Sequence, residues 1–66
     1  MKEAFVEAEH ALAVNPTNAD AHHLMGKLLA LQGRLKESIV SFETAVKLRP
    51  DDVVIREDLA RVQRLR

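Results

Sequence analysis

A chain of 66 residues carrying ten basic and ten acidic side chains has no global field to recruit nucleic acid or an anionic membrane, and at this length it forms at most one small domain. It contains no cysteine, which removes disulfides, thiolate catalysis and cysteine-type zinc sites together and fits a reducing compartment, so the cytoplasm is the expected location. A domain of about 60 residues hides only about 60% of its unfolded surface, and a single core of that size contributes about 3–5 kcal/mol net, so stability has to come from regular helix packing or from a partner.

Four helical segments follow one another, separated by three turn signals. The first spans residues 2–14, with Phe5, Ala8 and Leu12 on one face and Ala4 and Ala11 beside them. Asn15-Pro16 ends it, because proline drives the residue before it out of the α region. Asn18 is placed to cap a second helix over 19–32, in which Ala21, Leu24, Met25, Leu28 and Leu29 form one stripe at helical spacing. Gly33 stands where a left-handed residue closes a helix. A third helix over 34–48 turns Leu35, Ser38, Ile39, Phe42, Ala45 and Val46 inward and stops at Arg49-Pro50. Asp51 and Asp52 offer the cap of a fourth, over 53–65, with Ile55, Leu59 and Val62 inward. Turns this short make neighbouring helices antiparallel, and no segment alternates with a strand's period, so the chain is all-α. No apolar run approaches the roughly 18 residues that cross a bilayer. The N-terminus also lacks the basic-then-apolar order of a secretory signal, and the chain reads as soluble.

The chain also repeats itself at an interval of 34. Ala11 recurs as Ala45, Pro16 as Pro50, Met25-Gly26 as Leu59-Ala60, Phe5 as Ile39, Asn18 as Asp52 and Lys27 as Arg61. A period of this size marks helical repeat architectures. Gly26 and Ala60 lack bulk and allow backbones to approach, while Phe42 and Ala45 alternate large and small on the facing helix. The same stripes would also serve a plain four-helix bundle.

Residues 19–52 resemble one complete tetratricopeptide repeat, with Met25-Gly26 at the helix crossing, Gly33 in the turn, Phe42 and Ala45 in the second helix and Pro50 at the exit. Residues 1–18 resemble the second helix of a preceding repeat, through Ala4, Ala8, Ala11 and Pro16, and residues 53–66 the first helix of a following one, through Leu59-Ala60. The chain departs from the family pattern at His22 and Arg56, where an early aromatic is usual, at Leu29 for a mid-helix tyrosine, and at Ser38 for an alanine. The resemblance implies an α-solenoid of antiparallel helix–turn–helix units, a scaffold for a protein or peptide partner, no catalysis and no cofactor.

The residues themselves offer little chemistry. His22 and His23 are adjacent and cannot form the i, i+4 pair that clasps zinc, so no metal site is expected; His22 should pack as a substitute aromatic and His23 should face solvent or a ligand. Gly26-Lys27 lacks the upstream glycine and the following Ser or Thr of a phosphate loop. Ser38, Ser41 and Thr44 have no histidine within a turn to activate them. Arg61, Arg64 and Arg66 cluster without aromatic residues between them, which suits the negative end of a helix dipole better than nucleic acid.

In proteins that resemble this one, exposed side chains of each first helix line a concave groove. Helical spacing selects Asp20, His23, Lys27, Ala30 and Leu31 for that face, and the same offsets one interval later select Val54, Glu57, Arg61, Arg64 and Leu65. Some members of the family hold a partner's C-terminal carboxylates with a clamp of basic and amide side chains. Here His23 and Lys27 stand at its start and Asp58 stands where a neutral donor is needed, so that mode is not expected. A second expectation is self-assembly, head to tail or by helix exchange into a homo-oligomer. Lys2 stands against Glu3, Glu7 and Glu9 at one end, a net of −2, while four arginines stand against Glu57 and Asp58 at the other, a net of +2.

Overall fold

A computed structural model describes residues 2–65, apart from the Lys2 side chain. Met1, counted above in the half-repeat over 1–18, and Arg66, counted in the arginine cluster and in the half-repeat over 53–66, lie outside the described residues. Four helices follow in order: α1 (Lys2–Val14), α2 (Ala19–Leu31), α3 (Leu35–Leu48) and α4 (Val53–Leu65). Each packs on the next, with α2 against α3 forming the most extensive of the interfaces. The result is a slab of 30 × 26 × 15 Å.

The turns obey local chemistry. Asn15 Oδ1 accepts from the Thr17 N–H at 3.1 Å and from the Thr17 hydroxyl at 2.8 Å, which folds the chain around Pro16. Asn18 is extended and its Oδ1 accepts from the Ala21 N–H at 3.1 Å, capping α2. Asp52 does the same for α4, accepting from the Ile55 N–H at 3.2 Å. At the end of α2, Gly33 adopts φ 78°. The Gly33 N–H then bonds the Ala30 carbonyl and the Arg34 N–H the Leu29 carbonyl, each at 3.0 Å, the paired closure that a left-handed residue makes possible. Gln32 and Arg34, expected inside helices, are the caps that flank this turn. Arg34 makes no side-chain cap bond; its guanidinium pairs instead with Glu37 one turn into α3, Nε to Oε1 at 3.0 Å.

Two apolar clusters hold the slab. Ala8, Met25 and Leu29, with Phe5 and Leu12 against them, join α1 to α2. Ile39, Phe42 and Val62, with Ala30, Leu35 and Leu59, join α3 to α2 and α4. Between α2 and α3 the contact closes on Gly26. A methyl group there would lie 2.8 Å from two carbons of the Phe42 ring, and that ring is only 1% exposed and cannot retreat. The same carbonyl region is tied by Ser38, fully buried, whose hydroxyl donates to the Gly26 carbonyl at 2.6 Å. The hydroxyl, buried away from water, thereby finds the acceptor it needs, which lets a serine stand where an alanine is usual.

Two expectations are corrected. Leu24, expected in the inward stripe of α2, is 39% exposed, because α1 packs on the Met25 and Leu29 side of the helix. Ala60, expected at a close backbone approach like Gly26, is exposed, because no described helix lies over that face of α4.

Candidate functional site

α2 and α4 lie side by side on one face of the slab, with α3 behind them. Between them runs a shallow trough lined by Lys27, Ala30 and Leu31 from α2, Phe42 from α3, and Asp58, Arg61, Val62 and Leu65 from α4. Lys27 and Arg61, one interval apart in the chain, stand on opposite walls. Leu31 and Leu65 repeat the relation at the far end and are 68% and 65% exposed. The trough thus presents uncovered apolar surface flanked by two cations.

At its near end the two helices are tied together. His23 Nε2 lies 2.6 Å from Asp58 Oδ2, both side chains about 15% exposed. A carboxylate oxygen accepts, so Nε2 carries the hydrogen and donates it. The imidazole ring also leans on Phe42, with ring centroids 5.7 Å apart at 57°, a tilted aromatic contact. The second oxygen of Asp58 faces the Arg61 guanidinium at 3.8 Å. Asp58 is therefore held from two sides, and the negative charge it brings to that wall stands beside the positive charge of Arg61.

The residues selected from the sequence separate into groups. Lys27, Ala30, Leu31, Arg61 and Leu65 come together in the trough. His23, expected to face solvent or a ligand, is instead taken up by Asp58 and Phe42. His22 is half-buried, and its Nε2 donates to the Pro16 carbonyl at 2.9 Å, bracing the turn between α1 and α2. Asp20 is exposed on the other side of α2, where it pairs with Arg49 at 3.0 Å across the slab. Glu57 lies with Val53, Arg56 and Ala60 on the outer face of α4, and Arg64 and Val54 are exposed and do not line the trough.

Sequence reasoning missed the His23–Asp58 tie. Its partners are 35 residues apart and sit at no characteristic local spacing. The available signal was the repeat interval, since first helices one interval apart lie side by side and bring position 23 next to positions 57 and 58.

Among the described residues, no group of three or more His, Cys, Asp or Glu side chains is placed to hold a metal ion. Among the same residues, no helix is long and apolar enough to cross a membrane.

The sequence profile of the tetratricopeptide repeat matches residues 19–52, which are α2, α3, the turn between them and the turn that follows α3. This chain belongs to the tetratricopeptide repeat family. A curated relative, Protein O-mannosyl-transferase TMTC1 of Mus musculus, is 34% identical over 65 residues, which is 98% of this chain and 7% of that protein. The chain thus spans a small fraction of the relative it matches. No solved structure matches. The tetratricopeptide repeat accounts for the Gly26–Phe42 crossing and the Gly33 turn, and it makes protein–protein interaction the general role of the chain.

Proposed function

We propose that this tetratricopeptide repeat binds a partner segment in the trough between α2 and α4, and that the segment is apolar with acidic side chains. The observation that carries the reading is the pairing of Lys27 and Arg61 across two exposed leucines, Leu31 and Leu65. An apolar stretch of a partner would cover the leucines, and carboxylates beside it would meet the cations. Asp58, already held by His23 and Arg61, offers nothing to a terminal carboxylate, so recognition does not depend on a free C-terminus. The transferase activity in the name of the mouse relative is not part of this reading. The buried hydroxyl of Ser38 is committed to the Gly26 carbonyl, and the match covers 7% of that protein.

We also propose that residues 19–52 are one complete repeat, residues 1–18 the second helix of a preceding one and residues 53–66 the first helix of a following one. The difference between equivalent positions supports this. Ala19 is 6% exposed and Val53, one interval later, 60%. Ser38 and Ala45 are fully buried, whereas Ala4 and Ala11, one interval earlier, are half-buried.

The groove reading is tested by fluorescence anisotropy with a labelled peptide of alternating leucine and glutamate, free or amidated at its C-terminus, and a leucine–lysine peptide as control. The acidic peptide should bind equally in both forms and more weakly as salt rises, because exposed charges are screened over about 8 Å at physiological ionic strength. Lys27→Glu with Arg61→Glu should weaken it about tenfold, since each exposed ion pair contributes roughly 0.2–1 kcal/mol and reversal adds repulsion. Equal binding of the lysine peptide, or strict dependence on a free carboxylate, would overturn the reading.

A further inference from the structure

Arg34 and Glu37, and on α4 Asp58 and Arg61, form ion pairs at the same spacing of three residues, and the two pairs close differently. Arg34 Nε lies 3.0 Å from Glu37 Oε1, and a second nitrogen of the guanidinium engages the other carboxylate oxygen. Asp58 and Arg61 stand 3.8 Å apart, which is beyond hydrogen-bond reach. What sets Asp58 apart is a competing donor. Its Oδ2 accepts from His23 Nε2 at 2.6 Å, across the gap between α4 and α2, and the imidazole is steadied by the tilted Phe42 ring. Aspartate, one methylene shorter than glutamate, has little reach to serve two partners fully, and the one it serves here is the histidine.

The guanidinium left at a distance matters to the trough. Arg61 is 68% exposed, Asp58 is largely enclosed, and both line the trough with Lys27 on the opposite wall. A carboxylate closing fully on Arg61 would take up one of its two-pronged donor faces. It would also cancel, at that point of the wall, the charge that draws a partner's carboxylate.

We propose that His23 is a positioning residue of the trough: by drawing Asp58 toward α2, it keeps the Arg61 guanidinium open to a carboxylate of the partner. This rests on the trough reading and adds to it the group that sets how strongly the α4 wall attracts an acidic segment. His23 acts through Asp58 alone, which separates its effect from that of Lys27.

The test is an anisotropy titration of the labelled leucine–glutamate peptide with four variants, each first shown to be folded by far-UV circular dichroism. His23→Leu removes the donor and lets Asp58 close on Arg61, and it should weaken binding by up to about fivefold, the worth of one exposed ion pair. His23→Gln keeps an N–H at similar reach and should bind as the parent does. Asp58→Asn leaves no carboxylate to close on Arg61 and should bind more tightly than the parent. Combined with Asp58→Asn, His23→Leu should cost nothing, whereas a histidine that only braces the fold would lower binding in both backgrounds. In the unaltered chain, two-dimensional NMR of the imidazole nitrogens should keep the Nε2–H pattern when the peptide is added, while the Arg61 Nε–H signal moves. That measurement decides the question if His23→Leu does not fold. Equal binding by the parent and by His23→Leu overturns the proposal, as does a loss that persists beside Asp58→Asn. In both cases the trough reading stands. Displacement of the His23 hydrogen by the peptide with Arg61 unmoved also overturns it, and a parent chain that does not bind the peptide removes the trough reading and the proposal together.

Discussion

Gly26 and Ala60 occupy the same place in two successive units, yet their surroundings differ. Gly26 faces a buried aromatic ring at a distance that excludes even a methyl group, whereas Ala60 is open. Gly26→Leu should therefore overpack the crossing and cost about 1–3 kcal/mol, a large share of the stability of so small a domain. Ala60→Leu at low protein concentration should change stability by no more than about 0.5 kcal/mol, as surface substitutions do. Thermal melts followed by far-UV circular dichroism check both, and the chain's lack of Trp and Tyr makes that the suitable probe. A Gly26→Leu protein as stable as the parent would contradict the crossing. An Ala60→Leu protein as unstable as Gly26→Leu would mean that the α4 face is covered in the monomer.

Among the elements, α2 and α4 are not neighbours in the chain and meet through few groups, of which the His23–Asp58 hydrogen bond is the shortest. Burial to about 15% exposure and a charged acceptor place it among the stronger hydrogen bonds, with a contribution of about 1.5–3 kcal/mol. A double-mutant cycle of His23→Ala and Asp58→Ala, read by urea denaturation, should return a coupling energy near that range. Purely additive losses would show that the tie does not hold the helices. The helices themselves were legible in the residues: Asn15-Pro16, Asn18, Gly33 and Asp52 act through their own backbone and nearest neighbours, so their effects can be read locally. The exposure of Leu24 and Ala60 could not be read that way. It depends on which helix lies over each face, and the amphipathic stripe of α2 is wide enough to accommodate more than one answer. The destination of His23 was hidden for the same reason, since its partner is on a helix that the chain reaches only after a full turn-and-return through α3.

At the scale of the whole molecule, the described residues form a mixed apolar and basic trough between α2 and α4. The trough was half visible in the sequence. Lys27, Leu31 and Arg61 follow from helical spacing and the interval of 34, while Asp20 pairs with Arg49, Glu57 lies on the outer face of α4 and Arg64 does not line the trough. A selection made by spacing alone has a width of about a third of a turn and cannot separate the wall of a groove from its rim. The most direct measurement is a titration of isotope-labelled protein with the leucine–glutamate peptide, followed by amide shifts in two-dimensional NMR. Shifts concentrated at Lys27, Ala30, Leu31, Arg61, Val62 and Leu65 are expected, saturating with a single dissociation constant. Shifts confined to Val53, Arg56 and Ala60, or to Glu7, Ala11 and Leu24, with the trough residues unmoved, would show that the partner binds elsewhere and that the trough is not the site.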